Sequence, residues 1–280
     1  MSAPTSLASR VALNQGPEIP WLGLGVFQTS PGSTTRQSVR WALETGYRLV
    51  DTAAMYGNEA DVGAAIKSSG IPREEVFVTT KLWHTDHGYA PALHAARASL
   101  EKLGLGYIDL YLIHWPRAKS PEERLASWRA LAQLKQEGVC RAVGVSNYTT
   151  RHLEELRARS DLLPAVNQVE FHPFVYDPKL VEYCERYRIR LEAYSPLTRG
   201  HHLDDAVVAG IARAHERTPA QDLIRWGLQH GVVEIPKSTH RERIEENARV
   251  FDFSLSAAEM TRLDRLANGE HISWDPTEIP

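Results

Sequence analysis

Two cysteines in 280 residues, Cys140 and Cys184, exclude a disulfide-stapled scaffold. Cys140 sits in an apolar strand-like run and Cys184 in a helix-like one, so two buried thiols of a reducing compartment are expected. A single disulfide between them stays open, but a chain of this length does not need one to fold. Cationic excess is missing too. Lys and Arg number 32 against 35 Asp and Glu, a formal charge of −3, and the basic footprint of a nucleic-acid binder is absent. No apolar run approaches the roughly 20 residues of a membrane helix. The opening Met1-Ser-Ala-Pro-Thr-Ser lacks a basic segment followed by an apolar one, so no secretion signal is expected and a cytoplasmic location is. Gly/Ser tracts, low-complexity stretches and charge blocks are also lacking, which predicts one domain over residues 1–280. Finally, no G-x-G-x-x-G opens a helix. Gly23-Leu-Gly25 continues Val-Phe-Gln without the third glycine, so a Rossmann dinucleotide site is not expected.

What the chain does contain is an alternation of short β-type runs and amphipathic helical stretches. A hairpin is expected first, from Arg10 to Leu13 and turning at Asn14-Gln-Gly-Pro17. The β-type runs are then Leu22 to Val26, Arg48 to Asp51, Val76 to Lys81, Ile108 to Ile113, Ala142 to Val145, Ala165 to Val169, Ile189 to Tyr194 and Val232 to Ile235. Helical patterns follow each, including Thr34 to Glu44, Pro91 to Leu103, Pro121 to Glu137 and Arg241 to Ala248. Eight βα units predict a parallel sheet, since each strand needs a crossover helix. In one domain of this size they suit a closed (β/α)₈ TIM barrel of the α/β class. Thr218-Pro219 and Ser120-Pro121 read as N-cap-then-proline helix starts. Ser256 to Glu259 reads as a capping box opening one more helix. The tail, residues 271–280, is irregular with two prolines, and is expected as a C-terminal loop over the barrel mouth.

In such a barrel the chemistry gathers at the C-terminal ends of the strands. Those ends carry Asp51, Lys81, His114, Ser146-Asn147, Gln168 to Glu170, Tyr194 and Lys237-Ser238. Singly each has a bland reading: a cap, a solvated charge or a core histidine. Jointly, the fold would bring a carboxylate, an ammonium and an imidazole to one rim, where they perturb one another's pKa values. Reducing a carbonyl requires a hydride on carbon and a proton on oxygen. A tyrosine can supply the proton if its pKa near 10 is brought down. A neighbouring ammonium does so by stabilising the phenolate, and a carboxylate keeps that ammonium charged. Tyr56, five residues after Asp51, is placed for the donor role.

The segments Gly46-Tyr-Arg-Leu-Val-Asp51-Thr-Ala-Ala-Met-Tyr56, Leu103-Gly-Leu-Gly-Tyr-Ile-Asp109-Leu-Tyr-Leu-Ile-His114-Trp-Pro116 and Ile235-Pro-Lys-Ser238 resemble those of the aldo-keto reductases. Thr80-Lys-Leu-Trp83, Gly144-Val-Ser-Asn147, Asn167-Gln-Val-Glu170 and Tyr194-Ser-Pro-Leu197 extend the likeness from about Ile19 to the eighth unit. The chain looks most like the bacterial diketogluconate reductase branch. The resemblance implies NADPH-dependent reduction of aldehydes and ketones: small aldehydes, dicarbonyls or keto-sugar acids. By position, it makes Tyr56 the general acid, Lys81 and Asp51 its tuning pair, and His114 the group that orients the carbonyl. It implies that Ser146, Asn147 and Gln168 hold the nicotinamide carboxamide and that Tyr194 stacks on the ring. Ser195 and Leu197 belong to the segment that would cover the pyrophosphate. Lys237, Ser238 and Arg243 would meet the 2′-phosphate, with Glu246 and Asn247 near the adenine. His240 stands where some bacterial relatives carry arginine. A neutral imidazole grips a dianion less firmly than a guanidinium, so a narrower NADPH preference is expected.

Phe27, Trp83, Trp115 and Trp274 are expected to wall an apolar substrate slot with a polar floor. Two other functions are carried alongside. A metal-dependent hydrolase on the same barrel would draw on His84, His87, His94, His114 and His172, but no H-x-H closes a strand, and no metal is expected. A cofactor-sensing, non-enzymatic subunit would need partner-binding extensions, which the chain lacks. A monomer is expected, as no helix shows an excess apolar face.

Overall fold

Residues 4–279 are described by the computed structural model. Near its start, β1 (Arg10–Ala12) and β2 (Glu18–Pro20) pair antiparallel with Val11 opposite Ile19. The turn between them is tied to the sheet's N-terminal end. Gln15 Nε2 donates to the carbonyls of Val143 and Leu163 at 3.0 and 2.8 Å, and Asn14 Nδ2 to that of Pro164 at 2.9 Å. The hairpin thus covers the end of the barrel opposite the chemistry.

Eight parallel strands follow: β3 (Leu24–Gly25), β4 (Leu49–Asp51), β5 (Phe77–Leu82), β6 (Ile108–Ile113), β7 (Cys140–Ser146), β8 (Val166–Glu170), β9 (Arg190–Tyr194) and β10 (Val233–Glu234). They lie side by side in chain order. Parallel bridges Leu22–Glu234 and Gly25–Lys237 join first to last and close the (β/α)₈ barrel. At that seam the backbones approach closely. A Cβ on Gly25 would sit 2.8 Å from the Ile235 carbonyl oxygen, while one on Gly23 would sit 2.4 Å from Leu49 Cγ on the other neighbour, β4. Of the glycine pair that fails as a dinucleotide fingerprint, Gly25 is required by barrel closure and Gly23 by the packing of Leu49.

The helices are α1 (Ser33–Thr45), α2 (Glu59–Ser68), α3 (Tyr89–Leu103), α4 (Pro121–Gln136), α5 (Thr150–Arg157), α6 (Pro178–Arg186), α7 (Ala206–Ala214), α8 (Pro219–Gln229), α9 (Arg241–Asn247) and α10 (Ala257–Asp264). Their starts follow the expected chemistry. Ser120 Oγ accepts from the Glu123 N–H, and Thr218 with Gln221, and Ser256 with Glu259, form reciprocal capping boxes. Several boundaries differ from the sequence reading. The first and last barrel strands are two residues each rather than four or five, because glycine and proline at the seam interrupt the ladder. α3 begins at Tyr89 instead of Pro91, since proline fits the first turn of a helix. Cys140 and Cys184 are both buried and free, so the disulfide alternative falls.

Candidate active site

β4 delivers Asp51 and β5 delivers Lys81 to the barrel interior, where Lys81 is fully buried. A buried ammonium needs every hydrogen placed. Lys81 Nζ donates to Asp51 Oδ1 at 2.6 Å, to the Thr52 carbonyl at 2.9 Å and to Tyr56 Oη at 3.3 Å. Tyr56 reaches this point on a single 3₁₀ turn, Ala54–Tyr56, directly after β4. Three residues from separate parts of the sequence therefore meet in space.

Their electrostatics differ in one respect from expectation. Burial alone would lower the Lys81 pKa, but the Asp51 carboxylate and the Tyr56 hydroxyl outweigh it, and the ammonium is held above its ordinary value. Burial raises the Tyr56 phenol more than Lys81 lowers it, so its pKa lies above 10 rather than below. The reason is physical: ionising a phenol in a dry site costs more than one neighbouring cation returns, the more so with Asp51 behind that cation. Tyr56 is thus a protonated donor across the neutral range. His114, at the end of β6, is buried against Tyr56 with ring centroids 5.7 Å apart. Burial and then Lys81 hold it well below the usual histidine range, so the ring is a neutral imidazole with an N–H to offer.

Beside this group the polar residues form a chain of hydrogen bonds. Ser146 Oγ donates to the Gln168 carbonyl at 2.8 Å, Asn147 Nδ2 to the His114 carbonyl at 2.9 Å, and Tyr194 Oη to Asn147 Oδ1 at 2.8 Å. Gln168 spends its side-chain NH₂ on two carboxylates, Asp51 Oδ2 and Glu192 Oε2, each at 2.8 Å.

A cavity of about 1000 Å³ opens over these residues and runs along the barrel mouth. Asp51, Tyr56, His114, Asn147, Gln168 and Tyr194 form its floor, and Ser195 and Leu197 one side. Lys237, Ser238, Arg243, Glu246 and Asn247 close the far end. Lys237 and Arg243 make no ion pair among the described residues, so two cations face the cavity unneutralised. Phe27, Trp115 and Trp274 wall the near end, Trp115 and Trp274 with centroids 5.5 Å apart. Three residues from the sequence reading do not reach the wall. Lys81 and Ser146 lie behind it, fully buried. Trp83, one residue beyond the end of β5, packs its ring against His114 at 5.1 Å instead of lining the slot.

Backbone strain concentrates here. Gln28, Asn147, Ser195 and Arg199 line the cavity with φ of +55°, +63°, +51° and +50°. Left-handed backbone in non-glycine residues is uncommon and gathers at functional sites. Gln28 and Arg199 escaped the sequence reading, which holds no signal for strain. Glu192 left one, a charge inside the apolar run Ile189 to Tyr194.

The family pattern described as "Aldo/keto reductase family" matches residues 22–268. The chain belongs to that family. It is similar to a glyoxal reductase of Bacillus subtilis (strain 168), with 49% identity over 276 residues and 99% of each chain covered. Among solved structures, it is similar to MGS-M4, an aldo-keto reductase from a Medee basin deep-sea metagenome library, at TM-score 0.91 and 44% identity, covering 97% of this chain and all of that one. A Bombyx mori aldo-keto reductase solved in complex with NADP matches at TM-score 0.88 and 35% identity, covering 96% of this chain and 95% of that one. This aldo/keto reductase is therefore an NADPH-dependent oxidoreductase of aldehydes and ketones. The hydrolase alternative falls on that assignment. Two of its donors are also engaged elsewhere: His87 through both ring nitrogens, by Ser127 Oγ and the Trp115 carbonyl, and His172 through Nε2, by Glu170.

One carboxylate fastens the start of the tail, while the Ile279 carbonyl near its end is held by Arg151 and His152. Glu170, at the end of β8, accepts from His172 Nε2 at 3.0 Å, His271 Nδ1 at 3.1 Å, and the N–H groups of Ile272 and Ser273 at 2.8 and 3.1 Å. These bonds outweigh the cost of burial and hold Glu170 well below the usual carboxylate range, while Glu170 raises His271. They set Ile272, Ser273 and Trp274 in the cavity wall. Pro280, the last residue of the expected loop, lies outside the described residues.

Proposed function

We propose that Tyr56 is the general acid of carbonyl reduction, with Lys81 and Asp51 holding its hydroxyl and His114 orienting the carbonyl oxygen. The convergence of Asp51, Lys81 and Tyr56 within hydrogen-bond reach carries this reading. NADPH bound in the cavity supplies the hydride. The residues present fit it. The cavity is large, its floor holds the amides of Asn147 and Gln168 and the ring of Tyr194, and its far end presents Lys237 and Arg243, which have no carboxylate partner among the described residues. Ser195 and Leu197 would lie along the pyrophosphate, and Ser238, Glu246 and Asn247 beside the adenosine. Ser146 acts through Asn147, whose amide donates to it at 3.1 Å. As the carbonyl is reduced, the Tyr56 hydroxyl gives its proton to the developing alkoxide, and Lys81 stabilises the phenolate left behind.

The aromatic wall of Phe27, Trp115 and Trp274 suits compact carbonyls: small aldehydes, dicarbonyls such as the glyoxal named for the Bacillus subtilis relative, or keto-sugar acids. Our placement near the diketogluconate reductase branch rests on the motifs alone. Residues 1–280 read as one barrel domain acting as a cytoplasmic monomer without a nucleic-acid partner. The two free thiols and the charge of −3 support that reading, and no helix of the described residues is long and apolar enough to cross a membrane.

Arg243→Ala removes a cation from the phosphate end. The dissociation constant for NADPH is expected to rise about tenfold, as for the loss of one charge-assisted bond, with NADH little changed. Equal losses for both cofactors, measured by quenching of tryptophan fluorescence, would remove Arg243 from the phosphate site.

Deleting residues 271–280, or replacing Glu170 by Gln, is expected to raise KM for glyoxal several-fold while changing kcat less, since uniform binding is what the wall supplies. The charged part of the latch is present while His271 is protonated. It is lost as pH rises through the raised His271 value, and again at strongly acid pH as Glu170 protonates. KM values that ignore both changes would leave the tail without a role in substrate binding.

A further inference from the structure

Beneath the cavity floor lies a carboxylate that the roles above do not use. Glu192 comes from the middle of β9, opposite Gln168 on one side and Val233 on the other, and is fully buried. Its Oε2 accepts from Gln168 Nε2 at 2.8 Å, while its Oε1 has no hydrogen-bond partner among the described residues. The same Gln168 amide donates its other hydrogen to Asp51. One amide thus bridges two buried carboxylates, with Lys81 as the nearby cation. Both N–H bonds are spent downward, so the amide cannot flip without setting its oxygen against a carboxylate. Gln168 Oε1 is left as the acceptor at the cavity.

The charges do not balance if all three groups ionise. Lys81 with Asp51 is neutral as a pair, and an ionised Glu192 would leave one negative charge in a dry site, which is costly. Other titratable groups make this worse or leave it unchanged. Glu234 of β10 lies on the outer side, its carboxyl filling the space left by Gly227 of α8; burial first, and then Glu192, hold it well above the carboxylate range, so it stays neutral and offers no counter-charge. Tyr56, on the loop after β4, is a neutral phenol.

We propose that Glu192 is the charge-balancing and positioning residue of this site: it fixes the Gln168 amide, and it releases its proton to solvent when a positively charged ring occupies the cavity but keeps it when the ring is neutral. This rests on the reading that the cavity holds the nicotinamide cofactor. The oxidised ring carries a positive charge and the reduced ring does not, so the two forms differ in what they ask of the floor. Burial first, and then Asp51, push Glu192 up to about 8. A nearby cation favours the carboxylate and brings that value down. The proton balance is simple: Glu192 COOH becomes COO⁻ as NADP⁺ binds, and the proton goes to the buffer. The sign follows by linkage. NADP⁺ must bind more tightly as pH rises toward 8, and NADPH must show no such gain from this group. The 2′-phosphate titrates in both forms and cancels in their ratio.

The test is calorimetric titration of the intact protein with NADP⁺ and with NADPH, in two buffers of different protonation enthalpy, for the unmodified chain and for Glu192→Gln. More proton release is expected with NADP⁺ than with NADPH, the difference being the share of Glu192. The ratio of NADP⁺ to NADPH affinity should rise about tenfold between about pH 6 and about pH 9, one pKa unit of coupling. Glu192→Gln keeps an acceptor for Gln168 and has nothing to titrate, so its ratio should stay flat. A rising ratio in Glu192→Gln, or equal proton counts for both forms in the unmodified chain, overturns the proposal. If Glu192→Gln does not fold, the proton counts of the unmodified chain decide alone. Failure of either cofactor to bind the unmodified chain defeats the cofactor reading itself, a separate and recognisable result.

Discussion

Tyr56→Phe is expected to lower kcat for reduction of glyoxal by about 10²- to 10⁴-fold, the range for loss of a positioned general acid. The ring stays, so the contact with Phe27 at 4.9 Å and the wall of the cavity survive, and NADPH affinity should change little. The deletion touches a proton that moves only in the transition state, so kcat and kcat/KM should fall together. The direction of the Tyr56 shift adds a sharper test. Because burial holds the phenol above 10, reduction, which needs the protonated hydroxyl, should persist through the neutral range. It should fall only as pH rises through that value. Oxidation of the product alcohol needs the phenolate and should climb over the same interval. Tyr56→Phe should abolish both limbs. Steady-state rates in the two directions against pH check this, and wild-type turnover by the Phe variant would end the assignment.

The barrel was legible because parallel strands buried on both faces read as short apolar runs, and their C-terminal ends mark one rim. Asp51, Lys81, His114, Gln168 and Tyr194 could therefore be found by asking what stands last in each run. The same property left Glu192 only half legible: its charge stands out in the run, its direction does not. Strands buried on both faces do not alternate, so nothing in Leu191-Glu192-Ala193 says which side chain points inward. Trp83 shares the parity of Lys81, two residues before it, yet its ring packs against His84 and His114 instead of lining the cavity, which strand period alone does not show. Trp115, two residues past β6, does reach the cavity, where its ring meets Trp274 of the tail. The sequence also named the right neighbours for Tyr56 but the wrong sign for its pKa. Neighbours can be listed from motifs, whereas the exclusion of water is a property of the folded site. The seam of the barrel was the least visible feature, for Gly25 matters through the Ile235 backbone, more than two hundred residues away.

Lys81→Met should cost both activity and stability, and the two losses should separate. Lys81 is the cation beside Asp51 and the donor to Tyr56. Removing it leaves Asp51 buried beside Glu192 with no counter-charge. Breaking one partner of such a pair costs about 3–5 kcal/mol, far more than the pair itself contributes. The urea midpoint should fall accordingly. Asp51 can escape by taking up a proton, which its burial already favours. A carboxyl whose folded pKa is raised destabilises the protein above its unfolded value and ceases to do so as pH falls. The stability gap between Lys81→Met and the unmodified chain should therefore narrow from about pH 8 to about pH 5. Asp51→Leu in the Lys81→Met background should restore much of the urea midpoint, because no buried charge then remains. Activity should not return. Without the ammonium there is nothing to stabilise the phenolate, and the rate should stay about 10²- to 10³-fold down, as when one preorganised donor is lost. If the double variant recovered turnover together with stability, Lys81 and Asp51 would be packing for the barrel, and the proton chemistry would have to be sought elsewhere on the rim.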